Sequence, residues 1–229
     1  MKEETIKQVE EAITAWSYIK TLPKEWFDFK LEYDMHSYGD VYDIFTYKND
    51  EMKRKITVYY HDETKEYKLR VTIGLIEFCN CDFIMPDLES LEKILRLRLE
   101  TLMHDTAYFN KEAVDSIVID KKILEWTYLD HMPEKIEGFT RFIKPSEPLK
   151  VINGSYIIFD YCDFDNESSF AIYYNIFRDE FFGEAKVRNI PEVNYLFDSH
   201  ELSELEEKLD LYLVERLKQI RAKINHNKL

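Results

Sequence analysis

Eight residues, Trp16-Ser17-Tyr18-Ile19-Lys20-Thr21-Leu22-Pro23, return 110 positions later as Trp126-Thr127-Tyr128-Leu129-Asp130-His131-Met132-Pro133, matched almost class for class. A second landmark agrees: the apolar series Leu88, Leu91, Leu95, Leu99, Met103 recurs 114 positions later as Leu202, Leu205, Leu209, Leu213, Leu217. Self-similarity at a near-constant offset means one supersecondary unit used twice. The fold class this predicts is α+β, a tandem duplication of a helix, an antiparallel β-meander and a closing helix, with copies at 1–109 and 110–229 in pseudo-twofold relation. The two copies could pack into one compact domain.

Within copy one, Ile6, Val9, Ile13, Trp16 and Ile19 recur at helical spacing with Lys and Glu between them, and Pro23 closes the segment. The period then changes to two. Stretches 26–33, 40–47, 56–60 and 67–73 are rich in aromatic and β-branched residues and are separated by turn residues. A short strand at 78–85 closes the sheet, and Asp87 caps a helix carrying the first leucine series.

Copy two repeats the plan. Ala113, Ile117, Ile123, Trp126 and Leu129 mark its first helix; strands are expected at 138–143, 155–161, 170–176, 181–187 and 193–197. Asp198 or Ser199 caps the last helix. The segment 143–150, with Pro145 and Pro148, replaces a tighter loop and absorbs much of the offset change.

The chain has 229 residues, 45 acids against 31 Lys and Arg, and a formal charge of -14, divided as -7 for 1–110 and -7 for 111–229. The acidity therefore belongs to both copies and not to a tail. Phosphate neutralisation needs clustered Lys and Arg, so no direct nucleic-acid or anionic-membrane binding is expected, while a basic protein surface would be attracted. Plain solubility is the competing account. Three cysteines, Cys79, Cys81 and Cys162, have no framework spacing, and no apolar leader or membrane-length run is present, so a cytoplasmic setting is expected.

Chemistry is harder to find. Glu66-Tyr67-Lys68 has an echo in Glu184-Ala185-Lys186 on the strand that corresponds by order. Residues two apart on a strand share a face, and carboxylates with a Lys are what a metal-dependent phosphodiesterase of the restriction-endonuclease type requires. Asp43 in copy one and Asp160 in copy two would supply the further carboxylate. Alternating charged and apolar residues on a half-exposed strand explain the same pattern without catalysis.

Asp160, Asp163, Asp165 and Glu167 crowd one turn, but a calcium loop of the helical-hand type would need Gly and Glu where Ser168 and Tyr174 stand. No zinc quartet or phosphate loop can be assembled, and no metal or cofactor is expected. The function expected is a non-enzymatic acidic protein that blocks or regulates a basic partner, using Asp160, Asp163, Asp165 and Glu167 together with Glu201, Glu204, Glu206 and Glu207 on the last helix. A metal-dependent nuclease using Asp43, Glu66, Lys68, Asp160, Glu184 and Lys186 is the alternative. A small-ligand pocket between the modules is a third.

Overall fold

A computed structural model describes residues 1–151, 154–192 and 194–226. The chain divides into two compact units, Met1–Phe109 and Asn110–Leu229. Each holds a seven-stranded antiparallel sheet and a long closing helix.

Unit 1 opens with helix α1 (Glu3–Ala15), which buries Val9 and Ile13 and carries Glu3 and Glu4 in its first turn, where the helix dipole favours acids. A 3₁₀ turn leads to the hairpin β1 (Glu25–Trp26) and β2 (Phe29–Glu32). Its two turn residues, Phe27 and Asp28, both have positive φ, the twist that a two-residue hairpin demands. Strands β3 (His36–Tyr38), β4 (Val41–Asn49), β5 (Arg54–His61), β6 (Glu66–Ile73) and β7 (Ile76–Cys79) follow. Their spatial order is β1-β2-β4-β5-β6-β7, with β3 pairing β4. Helix α2 (Leu88–Ala107) is capped by Asp87, whose carboxylate accepts the Ser90 N–H at 2.7 Å.

Unit 2 follows with the short helix α3 (Ser116–Asp120) and then β8 (Lys135–Ile136), β9 (Phe139–Arg141), β10 (Leu149–Lys150), β11 (Ser155–Asp163), β12 (Ser168–Asn175), β13 (Glu180–Val187) and β14 (Ile190–Glu192). The order is β14-β13-β12-β11-β9-β8, with β10 on β11, and helix α4 (Leu202–His226) closes the unit. Leu205, Leu209, Leu213, Leu217, Ile220 and Ile224 of α4 pack with Tyr156, Phe159, Phe170, Ile172, Phe181 and Ala185 in one core.

The duplication is visible strand by strand. β4 and β11, β5 and β12, β6 and β13, β7 and β14, and α2 and α4 all start 114 residues apart, whereas β1 and β8, and β2 and β9, start 110 apart. The four extra residues enter between β9 and β11, on the segment with Pro145 and Pro148. Even the register shift recurs, between Asp43 and Phe45 on β4 and between Ile157 and Phe159 on β11.

The recurring motif of the sequence ties helix and sheet together at its two ends. The Trp16 indole donates to Glu92 of α2 at 2.9 Å, and the Trp126 indole to Glu206 of α4 at 2.7 Å. At the other end, the Pro23 carbonyl accepts from Tyr47 at 2.8 Å, and Pro133 from Tyr161 at 2.6 Å. Trp and Pro are thus kept at the two points where the connecting turn is tethered.

Several expectations are corrected. Copy two has no long first helix: 3₁₀ turns at Lys111–Ala113 and Ile123–Glu125 flank the five-residue α3, and Lys122 sits at φ 58 in the left-handed region. The six-residue gap from Ile117 to Ile123 breaks the apolar stripe, so nothing rewards a continuous helix there. The last helix begins at Leu202, which places Glu201 at the capping position; Ser199 instead pairs with Phe181, as Met85 does with Tyr67. In the 193–197 segment, Val193 lies outside the described residues, 194–197 is loop and turn, and the edge strand is Ile190–Glu192. The strand expected at 78–85 is β7, which ends at Cys79 and runs into a 3₁₀ turn at Cys81–Phe83. No helix among the described residues is long and apolar enough to cross a membrane.

Candidate functional site

The constant offset of 114 puts the Glu-x-Lys echo out of phase. Glu66 corresponds to Glu180 and Lys68 to Phe182, while Glu184 and Lys186 stand where Arg70 and Thr72 do. Likewise Asp43 corresponds to Ile157 and Asp160 to Thr46. The two sets are not copies of one ancestral site.

In unit 1, Asp43, Tyr59 and Lys68 form one row across β4, β5 and β6. Arg70 takes the Asp43 carboxylate at 2.5 Å and lies over the Tyr59 ring, 5.0 Å from its centroid. Burial pushes the Asp43 carboxyl up, and the guanidinium offsets this only in part. Its other oxygen, Oδ1, is buried with no hydrogen-bond partner. Lys68 turns instead to Glu66, 3.1 Å away. Asp43 is thereby neutralised by a permanent cation rather than pointed at a metal.

In unit 2, Asp160, Ala171 and Glu184 form one row over β11, β12 and β13, which sets the backbones of the two acids two strand spacings apart, about 10 Å. Asp160 is 1% exposed. It accepts the Ile143 N–H at 2.7 Å, the Phe142 N–H at 3.3 Å and the Cys162 thiol at 3.1 Å. Burial nevertheless pushes its carboxyl up to about 6. The same burial, with the Asp160 charge beside it, raises the Cys162 thiol well above the ordinary range, so this cysteine is a poor nucleophile. Asp160 serves to hold the chain as it leaves β9, and Lys186 lies 3.8 Å from Glu184.

The acidic turn is only partly available to a partner. Asp163 is 7% exposed and is held by the Asn166 side chain at 2.7 Å and Arg221 of α4 at 2.6 Å. Burial raises its carboxyl, but Asn166 and Arg221 outweigh this and keep it below the usual range. Asp165 and Glu167 are exposed. Because Asp163 reaches Arg221, this turn lies by the C-terminal half of α4, while Glu201, Glu204, Glu206 and Glu207 occupy its first turns. The 17 residues between Glu204 and Arg221 span about 25 Å of helix, so the two sets are separate surfaces.

Along α4, Glu201, Glu204, Glu207, Asp210 and Glu215 are exposed, and Glu206 is half-buried under the Trp126 indole. Residues 201–215 hold six acids against Lys208, net -5; the corresponding residues 87–101 of copy one hold four acids against Lys93, Arg96 and Arg98, net -1. Asp210 and Glu215 add to these acids, and residue types alone do not single them out; counting helical positions outward from the leucine series would have done so.

Unit 2 also has a cleft of about 280 Å³ beside β13 and β14, lined by Glu180, Phe182, Glu184, Tyr195 and Asp198 among others. Arg178 covers the Phe182 ring at 5.2 Å and lies 3.5 Å from Glu180. Among the described residues no group of three or more His, Cys, Asp or Glu could hold a metal ion.

Most of the strand aromatics are internal. Tyr59, Tyr60, Tyr173, Tyr174 and Phe181 are all buried, so both faces of the central strands are withdrawn from solvent. The exposed aromatic residues lie outside the central strands, as at Tyr38, Phe177 and Tyr195.

Fold and surface together define an α+β protein of two similar helix-and-sheet units whose closing helices distribute their charges differently along their length. Comparison with protein families, with characterised proteins and with solved structures finds no match.

Proposed function

We propose that this is a non-catalytic protein-interaction module that binds a basic protein partner and blocks or regulates it, occupying a surface on which that partner would otherwise bind an anion such as nucleic acid. The observation that carries the reading is the divergence of one helix between the copies. Residues 87–101 and 201–215 form the first turns of corresponding helices, yet their charge goes from -1 to -5, a difference that Arg216, Lys218 and Arg221 offset in the last turns of α4, so that acid and base are segregated along that helix. On α2 the bases are paired along or beside the helix: Lys93 with Glu89 at 2.7 Å, Arg96 with Glu92 at 2.8 Å, and Arg98 with Asp82. On α4 the exposed acids outnumber their local cations, which leaves a field that steers a basic surface inward.

The test uses the whole chain as bait in nuclease-treated lysate of its native cell, beside a Glu204→Lys, Glu207→Lys, Glu215→Lys triple variant. A basic protein that binds the natural chain in near-equal amount should be lost from the variant, and its association rate should fall steeply from 50 to 300 mM salt. A partner whose affinity ignores both charge reversal and salt would sink the reading.

A further inference from the structure

The two sheets end differently at the strand that follows β6 or β13. In unit 1 a two-residue turn, Gly74 and Leu75, leads from β6 into β7, so that Ile73 pairs with Ile76 and Val71 with Phe78. The Asn80 N–H donates to the Leu69 carbonyl at 2.9 Å, which fixes the phase of the ladder. Ile76, Phe78 and Asn80 turn their main-chain groups toward β6, and Glu77 and Cys79 turn theirs away from it. Among the described residues no strand pairs with β7 on that side. Glu77 is exposed there, and Phe78 and Cys79 are half-buried. A row of unpaired N–H and C=O groups along a sheet edge is a template for one further strand.

Unit 2 blunts the same edge. On β14 Pro191 stands where Glu77 does, between Ile190 and Glu192, which pair with Val187 and Ala185. Proline has no N–H to offer outward. The copies therefore share the ladder and differ in whether its rim can pair. From this we infer that the β7 edge receives an extended segment of the basic partner as one more strand. Main-chain bonds select an extended backbone, and the side chains of β7 set its pattern. Glu77 and Cys79 lie on the face of Thr72 and Arg70, and Ile76 and Phe78 on the other. The incoming strand thus carries Lys or Arg across from Glu77 and apolar residues at the alternate positions, beside Phe78. Arg70 lies 3.6 Å from Glu77 but makes its closer contact, 2.5 Å, with Asp43. A second copy is the poorer occupant, because it would set two chains of charge -14 edge to edge. The inference rests on the basic-partner reading and adds the form of the partner's segment and its place on unit 1.

The probe is an eight-residue peptide of alternating Lys and Val, titrated into the full chain at 50 mM NaCl beside two backbone-methylated forms. With its lysines on the face of Glu77, the peptide turns its Lys amides toward β7 and its Val amides away. Methylating the Lys amides should weaken binding at least about ten-fold, and methylating the Val amides should change it less than about three-fold. Glu77→Pro copies the sister edge and should weaken the parent peptide about ten-fold, whereas Glu77→Gln keeps the N–H and should weaken it only about two- to three-fold. Far-UV circular dichroism checks that both variants are folded, and the methylation comparison needs neither. Equal binding of the two methylated forms, with Glu77→Pro unchanged, would overturn the added strand while leaving a basic partner held by α4 standing. Binding of no peptide would overturn it as well, and charge reversal on α4 would then judge the basic-partner reading separately. A dimer of the natural chain in sedimentation that Glu77→Pro dissolves would give the edge to a second copy and overturn the partner segment.

Discussion

Tyr18 and Tyr128 hold the same place in the two units, yet they meet opposite charges. Over the Tyr18 ring lies the Arg96 guanidinium, 4.6 Å from its centroid; at the corresponding turn of the other helix the Tyr128 hydroxyl donates to Asp210. Burial, with Asp210 accepting its proton, raises the Tyr128 hydroxyl above the ordinary range, whereas at Tyr18 burial raises it and Arg96 opposes the rise. A phenol tolerates either neighbour because its ring attracts cations and its hydroxyl serves carboxylates. The comparison teaches that the pieces tying the unit together, Trp to Glu and Tyr to Pro, stay the same, while the charge at a single position of the closing helix, Arg96 against Asp210, is free to invert.

The most severe way to probe this likeness is through the core. Leu99 and Leu213 are both fully buried at matching positions. Replacing either with Ala should cost about 2–5 kcal/mol, and calorimetry should find the two losses within about 1 kcal/mol of each other. A large inequality would mean that the units do not share one packing scheme.

The polar groups on the sheets should behave very differently. Arg70→Met leaves the Asp43 carboxylate buried without its cation and should cost about 3 kcal/mol or more in denaturant unfolding. Asp160 carries the opposite expectation. Its carboxyl is raised from 3.8 to about 6 on folding, so the folded chain favours the protonated form. Its contribution is greatest below pH 3.8 and declines by about 3 kcal/mol as pH rises through about 6, then stays level. Asp160→Asn keeps an acceptor for the Ile143 N–H and should remove that slope, leaving the protein as stable or more so at pH 7. Retention of the slope in the variant would show that another group causes it.

Smaller effects sharpen the likeness at the recurring motif. Trp16→Phe and Trp126→Phe each delete an indole hydrogen bond to a carboxylate and should each cost about 1.5 kcal/mol by thermal unfolding. Tyr47→Phe and Tyr161→Phe delete the tether to the proline carbonyl at about 1 kcal/mol apiece. Unequal losses within a pair would locate where the copies have drifted in structure as well as in charge.

Much of this was legible in residue order. The motif at Trp16 and Trp126, the leucine series and the period-two aromatic strands specify local geometry and a buried face, and both follow from spacing. The candidate site was legible only in part. Glu66-x-Lys68 and Glu184-x-Lys186 look like one motif because charge alternation is common on strands, and only the common start positions of β6 and β13 reveal a four-residue phase error. Asp160 and Asp163 read as surface acids because they run into Asp165 and Glu167 within a few positions; the groups that engage them, the N–H groups of Phe142 and Ile143, the Cys162 thiol and the Arg221 guanidinium, come largely from other elements.

Periodicity and turn chemistry are properties of neighbours along the chain, which is why the helices, strands and duplication could be read without coordinates. Burial and pairing depend on what distant segments bring. Tertiary structure alone decided that Asp43 belongs to Arg70, that Asp160 is a buried anchor, and that the acids of α4 face solvent around Leu211. A charged side chain settles where its desolvation is best compensated, and that is determined by groups far away in sequence.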